Sequence, residues 1–391
     1  MIIEQLTKEQ ADIFEKYFLE NGKFNFEGCW LRNQRPENAK KSGYIDETTQ
    51  RRRFVHFYDT YTLEKTNDKF YLNLQDYYLY VTNTLPKHEV EEYHNKIVDA
   101  LTEKGYEKID ESYYLDNTQV DIKFYDVHPQ NTTTFPSDYI SIDVVICSKG
   151  YNYAPLQQRL WDLSRKNYRI PEKRGNPTYT QDVADIIKYL PAQIEMGCGP
   201  SIEANIPPLY GMHETYKVQN HITGKFYFSN QDDLILSVIQ NPEKMRAVFA
   251  HVPLCCIRAS HTKGYEIFNE LYQKGYFVGE VYNNNFDKLL RRFGIKENYL
   301  RNYDIKNLFA KTNFEPNAKS LIVMGGHADR RQVQKQAREK GLQIIYIDPE
   351  GFFTKDGFEK YPIEGPKDGD IIVNLTFEQA MEQLKKVLDN E

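Results

Sequence analysis

The second half of the chain alternates short apolar runs with helix-length amphipathic segments, and this alternation constrains the fold more than any other feature. The apolar runs lie at residues 192–197, 276–283, 320–326, 342–348 and 370–374. Buried strands separated by helices of about 10 to 15 residues are typical of a parallel sheet with helices on both faces. We therefore predict an α/β fold with a doubly wound parallel sheet, in which ligands bind at the carboxyl ends of the strands.

The first part of the chain follows a different pattern. Strand-forming residues cluster at 53–63, 69–85 and 139–148, and a helix pattern covers residues 87–106. This order predicts an α+β unit with a mostly antiparallel sheet. A connector that contains proline and glycine, at residues 170–179, marks the boundary. We expect an N-terminal α+β domain of unknown role over residues 1–175 and the parallel-sheet domain over residues 176–391.

Composition restricts the class of protein. The chain of 391 residues has a net charge of −6, which argues against a broad nucleic-acid-binding surface. No run approaches the roughly 18 apolar residues of a membrane span, and residues 1–18 form an amphipathic helix pattern rather than a signal peptide. We expect a cytoplasmic protein that neither enters a membrane nor binds nucleic acid. Its oligomeric state is left open.

The cysteines indicate neither a disulfide framework nor a metal site. There are five of them, and no two have C-x-x-C spacing. The neighbours Cys255 and Cys256 are expected to point to opposite faces of a strand, which is unsuited to joint metal binding. No metal is therefore expected.

Two glycines follow the first apolar run directly. Gly197 and Gly199 flank Cys198, Ser201 comes at a likely helix start, and Pro207 opens a Pro-Pro pair. Glycines at a strand end permit a tight turn and let backbone amides approach a diphosphate. The third glycine of the common dinucleotide fingerprint is missing, so a purely structural turn stays open as an alternative.

Three later strand ends carry polar or glycine residues in register with this turn. They are Asn284, Asn285 and Asp287 after the second run, Gly325, Gly326 and His327 after the third, and Asp348 and Glu350 after the fourth. An acidic residue at a later strand end can accept hydrogen bonds from ribose hydroxyls. For Asn285 and Asp287 the alternative is a cap on the following helix.

At these four positions residues 181–388 resemble the core of the sirtuins, the NAD-dependent protein deacylases and ADP-ribosyltransferases. GCGPSIEANIPPLYG is similar to the family's G-A-G-[IV]-S-x-x-[SA]-G-I-P-x-F-R stretch, and NNNFDKLLRRFG to its T-Q-N-I-D-x-L-H-x-x-A-G stretch. LIVMGGH and IIYIDPEG stand where the family has a strand followed by G-T-S and by N-x-E.

The resemblance implies a sirtuin-type, Rossmann-like domain that binds NAD. Asn285 and Asp287 would be the catalytic residues. The cofactor-binding residues would be Gly197, Cys198, Gly199, Ser201, Pro207, Asn284, Gly325, Gly326, His327, Asp348 and Glu350.

The chain departs from the family pattern at functional positions. The family's Phe-Arg pair is Leu209-Tyr210, its zinc cysteines are absent, and no histidine lies between His261 and His327 where the family has its base. Acyl transfer needs that base, whereas cleavage of the nicotinamide–ribose bond asks mainly for an oriented water and stabilised charge. Three alternatives follow: an NAD glycohydrolase or ADP-ribosyltransferase, an inactive sensor of NAD or ADP-ribose, and a deacylase with a relocated base. The N-terminal domain would bind a protein acceptor or regulate the site.

Overall fold

The computed structural model describes residues 1–31, 45–46, 51–126, 139–158, 174–206, 234–300, 310–329, 331–354 and 357–390. The chain divides into two compact units. The first comprises Met1–Ala154 with Leu209–Leu254, and the second comprises Pro155–Pro208 with Cys255–Glu391. The predicted boundary at residue 175 stays a prediction.

The first unit is built on a nine-stranded antiparallel sheet, as the strand pattern indicated. Its strands are β1 (Ile2–Leu6), β2 (Phe24–Leu31), β3 (Ile45–Asp46), β4 (Arg51–Thr66), β5 (Lys69–Pro86), β6 (Glu107–Ile109), β7 (Ser112–Leu115), β8 (Thr118–Asp126) and β9 (Tyr139–Ser148). The main order is β2-β4-β5-β9-β8-β7-β6, with β1 paired to β5 and β3 paired to β4.

The helices of this unit are α1 (Lys8–Ile13), a π-helix (Phe14–Phe18), α2 (Lys87–Lys104) and α4 (Leu234–Gln240). The label α3 belongs to Gly199–Glu203 of the second unit, which precedes α4 in the chain. Helix α2 contacts β5, β9 and α4, and its buried residues include Ile97 and Leu101. It ends at Gly105, whose φ of 92° is the left-handed conformation usual for a helix C-cap.

The prediction of a helix over residues 1–18 is wrong for its first third. Residues Ile2–Leu6 form β1, and the helix begins only at Lys8. Thr7 and Gln10 form a capping box, in which each side chain accepts a hydrogen bond from the other residue's backbone N–H. Because this box starts the helix after Thr7, the preceding residues are able to pair with β5.

The second unit contains a seven-stranded sheet in which every neighbouring pair is parallel. Its strands are β10 (Thr178–Thr180), β11 (Ala192–Met196), β12 (Val281–Asn283), β13 (Glu297–Tyr299), β14 (Ser320–Met324), β15 (Gln343–Ile347) and β18 (Ile371–Val373). A separate antiparallel hairpin joins β16 (Gly351–Thr354) to β17 (Gly357–Lys360). The sheet order is β10-β18-β15-β14-β11-β12-β13, so the order of the chain reverses between β11 and β14, as in the Rossmann fold.

Helices surround this sheet. They are a 3-10 helix (Val183–Tyr189), α3 (Gly199–Glu203), α6 (Lys263–Gln273), α7 (Leu289–Arg292), α8 (Val333–Glu339) and α9 (Phe377–Leu388). Of helix α5 (Pro242–Arg258), the residues up to Leu254 are assigned to the first unit and those from Cys255 to the second. All five residues of β11 and of β14 are buried, so both faces of the central strands are covered. On one face Leu321 and Val323 pack with Val333 and Ala337 of α8.

Two further sequence predictions need correction. Cys255 and Cys256 lie in helix α5, not in a strand, so their side chains are about 100° apart around a helix axis. The segment NFDKLLRRFG, residues 285–294, is expected from the sequence to be helical, but the helix covers only Leu289–Arg292 because its N-cap Lys288 adopts a left-handed conformation with φ of 60°. Within the described residues, no helix is long and apolar enough to span a bilayer.

Candidate functional site

The loops that follow β11 and β14 meet at the point where the strand order reverses. Gly197 N donates to Met324 O at 2.8 Å, and Gly199 N donates to Gly325 O at 3.2 Å. A Cβ on Gly197 would lie 2.3 Å from Gly325 O, and one on Gly325, whose φ is 63°, would lie 2.4 Å from Gly199 N. These three glycines are therefore required because two backbones touch. Their contact with a diphosphate stays a prediction, and the N–H groups of Gly197 and Gly199 already bond within the protein.

Helix α3 begins in this loop and presents Ser201 to the neighbouring strand end. Cys198 is the N-cap residue and Pro200 occupies the first turn, a position that proline tolerates because it lacks an N–H. Ser201 is buried, and its Oγ donates to Asp287 Oδ2 at 2.5 Å. The Cys198 thiol is half-buried and lies 3.7 Å from Gly325 O. Pro207 falls outside the described residues.

The loop after β12 brings Asn285 onto the glycine turn. Asn285 Nδ2 donates to Gly197 O at 2.5 Å, and Asn285 N donates to Asn283 Oδ1 at 2.9 Å. Asn283 Nδ2 in turn donates to Glu297 Oε2 at 2.7 Å, and Arg291 pairs with the other oxygen of Glu297. This chain of bonds fixes the Asn285 amide with its nitrogen toward Gly197. The helix-cap alternative does not apply to Asn285.

Asp287 is almost completely buried and does act as a cap. Its Oδ1 accepts from Leu289 N at 2.9 Å at the start of α7, and its Oδ2 accepts from Ser201. Burial raises the pKa of the Asp287 carboxyl, and the two hydrogen bonds partly offset that rise. Asp287 thus links two strand ends while it caps the short helix.

Asn284 points to a residue that the sequence interpretation missed. Its Nδ2 donates to Glu195 Oε1 at 3.0 Å, and its backbone N donates to Met196 O at 2.9 Å. Glu195 is only 3% exposed although it lies in the central strand β11. Its other oxygen accepts from Gln334 Nε2 at 3.0 Å. The sequence did contain one signal that could have identified Glu195, since it is the single charged residue in the strand AQIEM.

A second group of predicted residues lies at the end of β15. Asp348 is 3% exposed, and its Oδ1 accepts from Glu350 N at 2.6 Å. Burial raises the pKa of Asp348 to about 7. His327 Nε2 lies 3.7 Å from Asp348 Oδ2, and its ring packs edge-on against Tyr361 at 4.0 Å between centroids. His327, a histidine that could stand in for the family's missing base, therefore contacts Asp348.

Glu350 is bound by side chains that no motif indicated. Arg174 Nη1 donates to Glu350 Oε1 at 2.6 Å, and Tyr179 Oη donates to Oε2 at 2.9 Å. The Ile363 N–H also donates to Oε1, at 2.9 Å. Burial opposes ionisation, but these bonds, led by that of Arg174, hold the pKa of Glu350 below its ordinary value. Arg174 belongs to the segment that precedes β10, which the sequence had identified only as a connector.

An open pocket of about 460 Å³ lies at the ends of β10, β15 and β18. Its polar lining includes Gln181, Glu350, Lys360, Asn374 and Gln379, and Phe358 adds an aromatic ring. Among the described residues, no group of three or more metal-binding side chains comes together.

In the structure, most of the predicted site residues thus fall into two groups, each joined by contacts within itself. The first set is joined around the glycine turn and consists of Gly197, Cys198, Gly199, Ser201, Asn285, Asp287 and Gly325, with Asn284 beside it on Glu195. The second consists of His327, Asp348 and Glu350. Gly326 follows Gly325 and packs toward Val323, since a Cβ there would lie 2.8 Å from Val323 Cγ1.

No protein-family model matches the chain, and no curated protein matches it. Among solved structures it is similar to a mutant Sir2 homologue in complex with ADP-ribose, at 17% identity over 53% of this chain and 98% of that one, with a TM-score of 0.32. It is also similar to Sir2 with a p53 peptide and NAD+, at 12% identity over 53% of this chain and 98% of that one, with a TM-score of 0.34.

Proposed function

We propose that the parallel-sheet unit binds NAD at the carboxyl edge of its sheet and cleaves the nicotinamide–ribose bond, by hydrolysis or by ADP-ribosyl transfer. The observation that carries this proposal is the placement of Asn285 and Asp287, both buried, against Gly197 and Ser201 at the reversal of strand order. In open α/β sheets, this crevice is the usual place for a nucleotide ligand.

The side chains at this edge suit a dinucleotide. Carboxylates and amides accept and donate the hydrogen bonds that ribose hydroxyls and a carboxamide need. Asp348, at the end of β15, stands where an acid commonly binds a ribose hydroxyl in this fold. The glycine turn would lie beside the diphosphate. Ser201 and Asn284 complete the set of residues that we assign to cofactor binding.

Bond cleavage requires an acceptor for the incoming water. Because Asn285 Nδ2 is bound to Gly197 O, the acceptor atom of that side chain is Oδ1. We assign to Oδ1 the orientation of a water molecule. The water oxygen would bond to the ribose carbon as nicotinamide leaves with the electrons of the broken bond, and a proton passes to solvent. Asp287 would stabilise the positive charge that develops on the ribose.

A sensor without chemistry is the second candidate. One observation favours it: both oxygens of Asp287 already accept hydrogen bonds, from Ser201 and from the Leu289 N–H, so the carboxylate serves the protein itself. In that case the parallel-sheet unit binds NAD or ADP-ribose, and the N-terminal unit relays the signal that the ligand is bound. A deacylase with a relocated base has less support, because His327 contacts Asp348 and Tyr361.

Nicotinamide release by purified protein separates these functions. We expect chromatography of a reaction with NAD to show nicotinamide and ADP-ribose, and Asn285→Ala to lower the rate about 10²-fold or more, the usual loss for one hydrogen bond that stabilises a transition state. Asn269→Ala on α6 is the matched control and should leave the rate unchanged. Tight NAD binding without any nicotinamide release would favour the sensor. An undiminished rate in Asn285→Ala would refute the role of Asn285.

A further inference from the structure

Glu195 occupies a costly position that the proposed chemistry does not use. It lies in the central strand of the parallel sheet, one residue before the strand ends, and is 3% exposed. Taking a carboxylate out of water costs several kcal/mol unless hydrogen bonds compensate. Its neighbours across the sheet are Tyr282 on β12 and Val323 on β14, neither of which carries a positive charge.

The compensation comes from two side-chain amides, that of Asn284 after β12 and that of Gln334 in α8. Asn284 Nδ2 donates to Oε1 and Gln334 Nε2 donates to Oε2, each at 3.0 Å. Gln334 is itself held, since its Oε1 accepts from Tyr346 Oη at 2.9 Å. The Tyr346 oxygen accepts from Arg338, which pairs with Asp370. The Gln334 side chain is therefore held by Tyr346 as well as by Glu195, whereas the Asn284 side chain is held by Glu195.

We propose that Glu195 is a positioning residue, which holds Asn284 and with it the loop that carries Asn285 and Asp287 against the end of β11. Asn284 immediately precedes Asn285, and its backbone N–H also bonds to Met196 O at 2.9 Å. The loop is thus tied to β11 by one backbone bond and one side-chain bond. The inference rests on the proposed function only for its effect on catalysis.

Protonation of Glu195 changes its hydrogen bond with Asn284. An ionised carboxylate accepts from both amides, whereas a protonated one has a hydroxyl that donates and retains one carbonyl oxygen as acceptor. One amide then faces the hydroxyl oxygen, which is a weaker acceptor than a carboxylate oxygen, and Asn284 is the less constrained of the two amides. Burial, and next the negative charge of Asp329, raise the pKa of Glu195 to about 8, while the bonds from Gln334 and Asn284 and the positive charge of Arg338 oppose that rise.

The direction of the pH effect follows from this raised pKa. Glu195 is protonated at pH 6 and ionised at pH 9, so the bond to Asn284 strengthens as pH rises through about 8. Folding stability moves in the opposite direction. Glu195 stays protonated in the folded chain between about pH 5 and 8 but is ionised in the unfolded chain, so its contribution to the free energy of unfolding falls over that range.

The test follows the side-chain amide resonance of Asn284 in the full chain without NAD, from pH 6 to pH 10, assigned by its loss in Asn284→Asp. We expect a shift with a midpoint near pH 8 in the wild type and none in Glu195→Gln. Glu203→Gln is the control, because Glu203 is a half-buried carboxyl whose pKa is likewise raised, to about 7, but which accepts from Glu378 N instead of from Asn284. It should leave the Asn284 titration intact.

The second readout is nicotinamide release by the same proteins. Glu195→Gln should match the wild type at pH 6 and be about tenfold slower at pH 9, the loss expected for one charge-assisted hydrogen bond. An Asn284 resonance that does not titrate in the wild type, or that titrates equally in Glu195→Gln, would overturn the inference. A titrating Asn284 in a protein that does not bind NAD would leave the Glu195 tie intact and refute the proposed function.

Discussion

At the candidate site, Gly325 is required by the structure of the protein itself. Its φ of 63° is a conformation that side chains disfavour, and a Cβ there would lie 2.4 Å from Gly199 N and 2.5 Å from Gly199 Cα. Neither atom belongs to a flexible side chain, so the loops would have to separate. The glycines of the turn are thus explained without any ligand, and the case for a nucleotide depends on the side chains around them.

We expect Gly325→Ala to lower the free energy of unfolding by roughly 2 to 4 kcal/mol, from backbone strain and the clash together. Gly341→Ala is the matched control, because Gly341 has a similar φ of 78° but no atom within 4 Å of an added Cβ. It should cost only about 1 kcal/mol. Urea unfolding of the two variants measures the difference. Equal losses would show that the two loops do not touch as described.

At the scale of elements, the sequence predicted strands better than their connections. The runs at β11, β14 and β15 are continuous and apolar because both faces of the sheet are covered, and that pattern is visible without a structure. No comparable sequence pattern predicts the hydrogen bonds between loops. Glu195 and Arg174 contact residues 89 and 176 positions away, and no local rule selects their partners.

The pair of Arg174 and Glu350 ties the segment before β10 to the loop after β15. Both side chains are partly buried, at 29% and 20% exposure, and Arg174 also donates to Ile363 O at 2.7 Å. We expect Arg174→Met to cost about 1 to 3 kcal/mol of unfolding free energy, because a half-buried carboxylate loses its cation.

Lys263→Met is the control for Arg174→Met, since the Lys263–Glu382 pair has exposures of 64% and 43%. An exposed pair contributes about 0 to 1 kcal/mol. Chemical denaturation of both variants gives the comparison. A loss for Arg174→Met no larger than that for Lys263→Met would mean that this tie does not stabilise the unit.

For the whole molecule, the sequence indicated a mostly antiparallel α+β part and a parallel α/β part, and the strand patterns of both are confirmed. That the residues following β11, β12, β14 and β15 lie at one edge of the sheet was also predictable, because the strands are parallel. Two features were not predictable. The first is the hydrogen bond between Asp287 and Ser201, which lies next to the left-handed turn at Lys288. The second is that the N–H groups of Gly197 and Gly199 are used within the protein, because the loops after β11 and β14 touch.

Calorimetric titration of NAD into the full-length protein tests the proposed function most directly. We expect saturable binding at one site per chain, which weakens at least about tenfold in Asp348→Ala because a buried acceptor for a ribose hydroxyl is lost. Asp389→Ala, on the exposed end of α9, should bind as the wild type does. Absence of any heat of binding at millimolar NAD, from a protein whose circular dichroism shows it to be folded, would contradict the assignment of the sheet edge as a nucleotide site.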